Sequence, residues 1–170
     1  MTSGGLFLDY SQRKLRQNVD RIDKCLARLT EDQVWSRGHE SENAVGNLLL
    51  HLAGNVRQWI VSGVGATPDT RDRDSEFNAH SGPSPEQLLA SLRAAVEEAC
   101  GVIAPLTEQR LAETIHVQKY DVTVLEAVYH VVEHFALHTG QIIFATKLLT
   151  GEELGFYTHL KAPAHNEKTP

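Results

Sequence analysis

The sequence predicts an all-α fold, an up-down four-helix bundle with one long loop between its second and third helices. Three observations carry that expectation. Four long stretches repeat apolar residues at intervals of three and four, the spacing of one helix face. Capping residues, proline or glycine bound the stretches. No segment alternates apolar and polar residues convincingly enough for a strand, since Val117 and the run 122–124 are short and interrupted.

The first helix is expected over residues 8–29, with Leu8, Leu15, Val19, Ile22, Leu26 and Leu29 on its inner face and Arg13, Lys14, Arg16, Asp20, Arg21 and Lys24 opposite. Thr30 caps a short turn carrying Val34 and Trp35, and residues 36–40 connect onward. The second helix starts near Ser41 or Asn43 and runs to 64, where Gly63 and Gly65 mark its end. Leu49, Leu52, Val56, Trp59 and Ile60 form its apolar stripe. Beside them runs a polar ribbon of Asn47, His51, Asn55, Gln58 and Ser62, which reads as the lining of a site.

Residues 66–83 form a loop longer than most connections. Its alternating charges at 71–74 read as solvated surface. Ser84 followed by Pro85 is an N-cap with proline at the first helical position. The third helix reaches 104, placing Leu88, Leu89, Leu92, Ala95, Val96, Ala99 and Ile103 inside, and Pro105 stops it. Residues 106–120 are expected to be irregular, with one helical turn at 108–111. Asp121 or Thr123 caps the fourth helix, which runs to 149 and ends at Gly151. Leu154, Phe156 and Tyr157 are expected to pack back, and 162–170 to fray.

At 170 residues, 41% of them hydrophobic and 22% charged, the chain fits a single globular domain spanning 1–170. A net charge of −6 argues against nucleic acid and acidic membranes as partners. The most apolar stretch, 47–65, is broken by His51, Asn55, Arg57 and Gln58, which excludes a membrane span. Two cysteines, Cys25 and Cys100, do not make a disulfide framework and read as small buried apolar residues. With no basic segment ahead of a hydrophobic leader, the expected location is the cytoplasm.

Three of the nine histidines, His130, His134 and His138, recur at intervals of four on the fourth helix. Imidazoles among Val131, Phe135 and Ile142 are costly to bury without partners, and a metal ion is one way to satisfy them. The second helix offers His51. Three neutral imidazoles with one open position make a catalytic zinc-type site, and imidazole also suits nickel and iron. The helix face favours His134 and His138 as ligands with His51, leaving His130 as a pocket wall. Hydrogen-bonded core histidines are the competing reading. His130-Val-Val-Glu-His134 also matches an inverted zincin motif with Glu133 as base, but it strands His138 and His51. A di-iron carboxylate site lacks its paired Glu-x-x-His motifs.

Two segments, Gly46-Asn-Leu-Leu-Leu-His51-Leu-Ala-Gly-Asn55-Val-Arg57-Gln-Trp-Ile60 and His130-Val-Val-Glu-His134-Phe-Ala-Leu-His138-Thr-Gly-Gln141-Ile142, resemble the DinB/YfiT family of metal-dependent four-helix-bundle enzymes. Arg73-Asp-Ser-Glu-Phe77 and the helix start at Ser84 are similar as well. The resemblance implies a divalent metal, zinc or nickel, held by His51, His134 and His138, and a homodimer. It further implies activation of a low-molecular-weight thiol (bacillithiol, mycothiol or glutathione) in transferase or isomerase reactions, with a metal-dependent hydrolase as the other activity assigned to such proteins.

The resulting expectation is a metal-dependent thiol S-transferase or hydrolase acting on a small molecule. Asn55, Arg57, Gln58 and His130 are its candidate substrate-binding residues, and Gln141 supports a ligand from behind. The alternative is a non-catalytic metal-binding or stress-response dimer in which the imidazoles brace the helices.

Overall fold

The structure is a computed structural model that describes residues 2–161; the expectation of a frayed tail at 162–170 falls outside them. Helices dominate, as expected. Helix α1 (Ser3–Leu26) begins five residues earlier than the apolar stripe suggests, because Thr2 Oγ1 accepts from Gly5 N and caps it. Glu108 accepts from Gly4 N at 3.1 Å and secures the same end. After α1, Thr30 and Gln33 form a reciprocal capping box that starts the short α2 (Glu31–Trp35).

Helix α3 (Val45–Val56) continues without a break into a π-helical segment, Arg57–Val64. The wider turn shows in the bond from Gly65 N to Ile60 O, 2.8 Å. Such segments are rare and frequent at functional sites. Gly63 within this one leaves room for Val117, whose Cγ2 a Cβ at that position would meet. The long loop contains a short helix of its own, α4 (Arg73–Asn78), capped by Asp72. Helix α5 (Pro85–Ile103) starts at the Ser84 cap with proline in its first turn. A single turn follows, α6 (Glu108–Leu111).

Residues 114–123 depart from the expectation of irregular chain. They form an antiparallel hairpin, β1 (Thr114–Val117) with β2 (Tyr120–Thr123), in register Thr114 to Thr123 and Val117 to Tyr120. Gln118 takes φ 56° at the turn. The Gln118-Lys119 tip lacks the Asn-Gly type of signal that announces such turns. What holds the hairpin is tertiary, with Val117 buried against the π-helical segment.

Helix α7 (Val124–Thr150) follows directly. Thr123 Oγ1 accepts from Glu126 N, and Glu126 Oε2 accepts from Thr123 N at 2.7 Å. Gly151 ends it in the left-handed conformation, φ 69°, where a side chain would be strained.

The four long helices surround one core. Helix α1 packs on α5 and α7, and α3 packs on α5 and α7. Leu15, Ile22, Leu52, Ile60, Leu92, Ile103, Phe135 and Ile142 are among the side chains fully buried between them. Cys25 and Cys100 are free and buried in the same core. Leu154 and Phe156 fold back onto it, whereas Tyr157 stays largely exposed. Among the described residues no helix is long and apolar enough to cross a membrane.

Candidate metal centre

His51 sits midway along α3 and is almost fully buried. The surrounding chain is pinned by Asn47, one helical turn earlier. Its amide donates to the carbonyls of Glu76 and Ala79, both at 2.8 Å, while its carbonyl oxygen accepts from Ala44 N and Arg37 Nη2, both at 2.9 Å. Arg37 also donates to Phe77 O and Ala79 O. Helix α4 is thereby fastened across α3. Phe77 lies against the His51 ring at 4.7 Å, and Glu76 Oε2 lies 3.0 Å from His51 Nδ1.

Arg71 completes this arrangement. It donates to Glu76 Oε1 at 2.7 Å and Oε2 at 2.8 Å, and to Gln58 Oε1 at 2.8 Å. The sequence places Arg71 on a solvated surface, but its side chain is only 4% exposed, and that of Glu76 9%. A charged group this deep requires a partner, which the bidentate Arg71–Glu76 pair provides. Gly54 makes room for it: a Cβ there would meet Glu76 Oε1 at 2.0 Å and Arg71 Nε at 2.9 Å.

The relay sets the tautomer of His51. Burial alone would raise the Glu76 carboxyl, but the hydrogen bonds from Arg71 and His51 outweigh it and hold the group below the usual carboxylate range. An ionised carboxylate only accepts, so Nδ1 of His51 carries the proton and Nε2 presents a lone pair. Arg71 Nη2 also lies 3.0 Å from Nδ1; both are donors converging on Glu76 Oε2, so this is proximity and not a bond between them.

The α7 histidines meet that lone pair. His51 Nε2 and His134 Nε2 are 2.9 Å apart, and the His138 ring centroid lies 5.0 Å from that of His51 and 4.4 Å from that of His134. One nitrogen from each of the three rings falls within 4.8 Å of the others. His138 Nδ1 donates to Gln141 Oε1 at 2.6 Å, which turns its Nε2 lone pair away from Gln141 in the same manner. Burial, reinforced by His138, His51, His130 and Arg71, pushes His134 down to about 3. Burial also lowers His138, against the opposing bond from Gln141. Both rings are therefore neutral near pH 7, the state a ligand needs. Three neutral or lone-pair-bearing imidazole nitrogens at this spacing fit a divalent cation. His134 can donate from Nε2 to His51 across the 2.9 Å separation, and a shared ion would take the place of that bond.

A cavity of about 480 Å³ opens beside the cluster. His51, His130 and His134 line it with Asn55 and Trp59, and Tyr120, Val122 and Gln118 come from the hairpin. Asn55 is 4% exposed and its side chain makes no hydrogen bond among the described residues. His130 lies outside the three-nitrogen group; its ring packs 4.2 Å from Trp59 and 5.4 Å from His134. Gln58 is engaged with Asp69, Arg71 and Gln118. Arg57 is turned to the other side of its helix, where it pairs with Glu98 at 3.1 Å, and it does not line the cavity. Sequence reasoning missed Arg71 and Glu76 as site residues; an Arg and a Glu five apart in a polar loop carry no periodic signal of burial.

Comparisons with known proteins bear on the fold and the family. None of the curated proteins matches this chain. A crystal structure described as that of a conserved protein from Enterococcus faecalis superposes with a TM-score of 0.75 at 17% identity, covering 89% of this chain and 99% of that one. At that identity the likeness concerns the fold alone. A family model described as protein of unknown function (DUF1572) matches residues 2–162, and the chain belongs to that family.

Proposed function

We infer that the protein is a divalent-metal-dependent enzyme of the DinB/YfiT type, an up-down four-helix bundle that activates a low-molecular-weight thiol, or alternatively a water, for attack on a small molecule. The observation that carries this reading is the relay Arg71–Glu76–His51, which aims an imidazole lone pair at His134 and His138 beside an open cavity. A brace for the helices would need neither the buried ion pair nor the cavity. Zinc or nickel suits the donor set, and such an ion lowers the pKa of a thiol or water that it holds.

The chain's own residues do the rest. His51, His134 and His138 would hold the ion, and Glu76 and Gln141 fix two of their tautomers. The chain's own thiols are not the nucleophile: burial raises Cys25, and pushes Cys100 up to about 11, far from the thiolate form. A reacting thiol would therefore come from solution. Two free cysteines also suit a reducing cytoplasm. The reading includes a homodimer, supported by Leu137, Phe144 and Leu148, which α7 leaves exposed on one face.

Elemental analysis of protein purified without chelators, followed by conjugation assays with bacillithiol, mycothiol and glutathione, tests the reading. About one ion per chain and thiol-dependent turnover are expected. Protein without metal, together with unchanged stability in His51→Ala, would overturn it. Metal without thiol-dependent or hydrolytic turnover would favour the non-catalytic dimer.

A further inference from the structure

The cavity beside the histidine cluster carries information about the molecule it takes. Two of its three charged residues are already committed. Arg71 is bound to Glu76 and Gln58, and Glu126 accepts from both the backbone N–H and the hydroxyl of Thr123 at 2.7 Å. The third is Arg73, at the start of α4. Its guanidinium lies over the Phe77 ring at 4.8 Å, and no carboxylate among the described residues pairs with it. Its neighbour Asp72 is occupied in capping α4 through Ser75 N. Arg73 therefore presents a planar cation with unfilled donors at the rim of a concave site.

Another part of the lining is aromatic. Tyr120 stacks near Trp59 with ring centroids 6.2 Å apart and more than half of its own surface exposed, and the His130 ring lies 4.2 Å from that of Trp59. Deeper in, the Asn55 amide makes no hydrogen bond among the described residues, and Trp59 Nε1 is buried without a partner. Aromatic rings, an unpaired guanidinium, an unpaired amide and the free Trp59 indole N–H are complementary to a small organic anion with a planar ring.

We propose that the cavity binds an aromatic carboxylate, with the ring against Tyr120 and His130, the carboxylate on Arg73, and Asn55 hydrogen-bonded to the polar part nearest the histidines. This names the substrate class of the metal site inferred above and rests on that reading for its catalytic meaning, although the binding itself depends on Arg73 and the aromatic wall.

The experiment is isothermal titration of the full chain, both chelator-treated and zinc-loaded, with phenylacetate, its neutral analogue phenylacetamide, and acetate. Phenylacetate should bind about tenfold or more tightly than either of the others in both forms, as a charge-assisted bond predicts. Arg73→Gln should abolish that preference while leaving zinc content and thermal unfolding unchanged, and Arg73→Lys should keep part of it. Equal affinity for phenylacetate and phenylacetamide would overturn the proposal, as would no binding of phenylacetate at all. So would a preference that survives Arg73→Gln and appears only with zinc, since the ion alone would then hold the anion. A chain that binds no zinc removes the metal reading but leaves the Arg73 comparison intact, so the two can fail separately.

Discussion

Glu76 Oε2 accepts from His51 Nδ1 at 3.0 Å across two elements 25 residues apart, in a place where both side chains are less than a tenth exposed. That bond joins the loop to the histidine cluster and makes the orientation of His51 depend on the packing of α4.

Glu76→Gln tests the dependence. The neutral amide leaves the Arg71 guanidinium buried without a counter-charge and no longer forces the proton onto Nδ1 of His51. Breaking a buried pair from one side costs about 3–5 kcal/mol, and losing the partner behind a metal ligand costs about 10–100-fold in affinity. Urea unfolding and zinc competition titration should show both losses. An unchanged zinc affinity would mean that the relay does not orient the ligand.

Gly54→Ala reverses the usual rule. In an exposed helix interior the change stabilises by about 1 kcal/mol. Here the new methyl collides with Glu76 Oε1 and Arg71 Nε, so the variant should be less stable than the wild type and bind zinc more weakly. A higher urea midpoint for Gly54→Ala would show that the ion pair moves aside at no cost.

Removing single histidines should separate ligand from wall. His51→Ala and His138→Ala should each lose most bound metal. His130→Ala should retain about one ion per chain, because its ring touches Trp59 and His134 from outside the three-nitrogen group. Metal content after gel filtration reads the difference, and metal loss in His130→Ala equal to that in His51→Ala would place His130 among the ligands.

The metal-free protein should lose stability as pH falls. His134 is held near 3 in the folded chain against about 6.5 when unfolded, so between those values the unfolded chain takes up a proton that the folded chain does not. Its contribution is complete above about pH 6.5 and is lost as pH falls toward 3. The lowered His138 and His130 act in the same direction. Glu76, lowered from its usual range, adds stability that is present above about 4.5 and lost below it. The urea midpoint of chelator-treated protein should therefore be lower at pH 5 than at pH 7.5, with a shallower slope in His134→Gln. Equal midpoints at the two pH values would contradict a half-buried neutral His134.

Much of the helical architecture is legible in the sequence. The stripe from Leu15 to Leu26, the Ser84-Pro85 start and the Gly151 stop each report a local preference that packing then reinforces. The hairpin is not legible: its turn is Gln118-Lys119, its strands are four residues each, and Val117 is buried by a π-helical segment more than fifty residues earlier in the chain. The polar ribbon on α3 is visible as a pattern, but its members divide on folding. Asn47 clamps α4, Gln58 ties down the loop, and Asn55 alone of these three faces the cavity without a partner.

The sequence by itself determined the four long helical stretches, though not the short α4, and that His51, His134 and His138 lie on faces able to converge, because helical periodicity encodes a side chain's direction within three or four residues. The tertiary structure alone decided that Arg71 and Glu76 are buried behind His51, that Arg57 turns toward Glu98 on α5, and that Arg73 remains unpaired at the cavity rim. Those outcomes depend on contacts between distant segments. A charged residue in a loop carries no periodic signal of which partner will desolvate it, so its role appears only once the helices have packed.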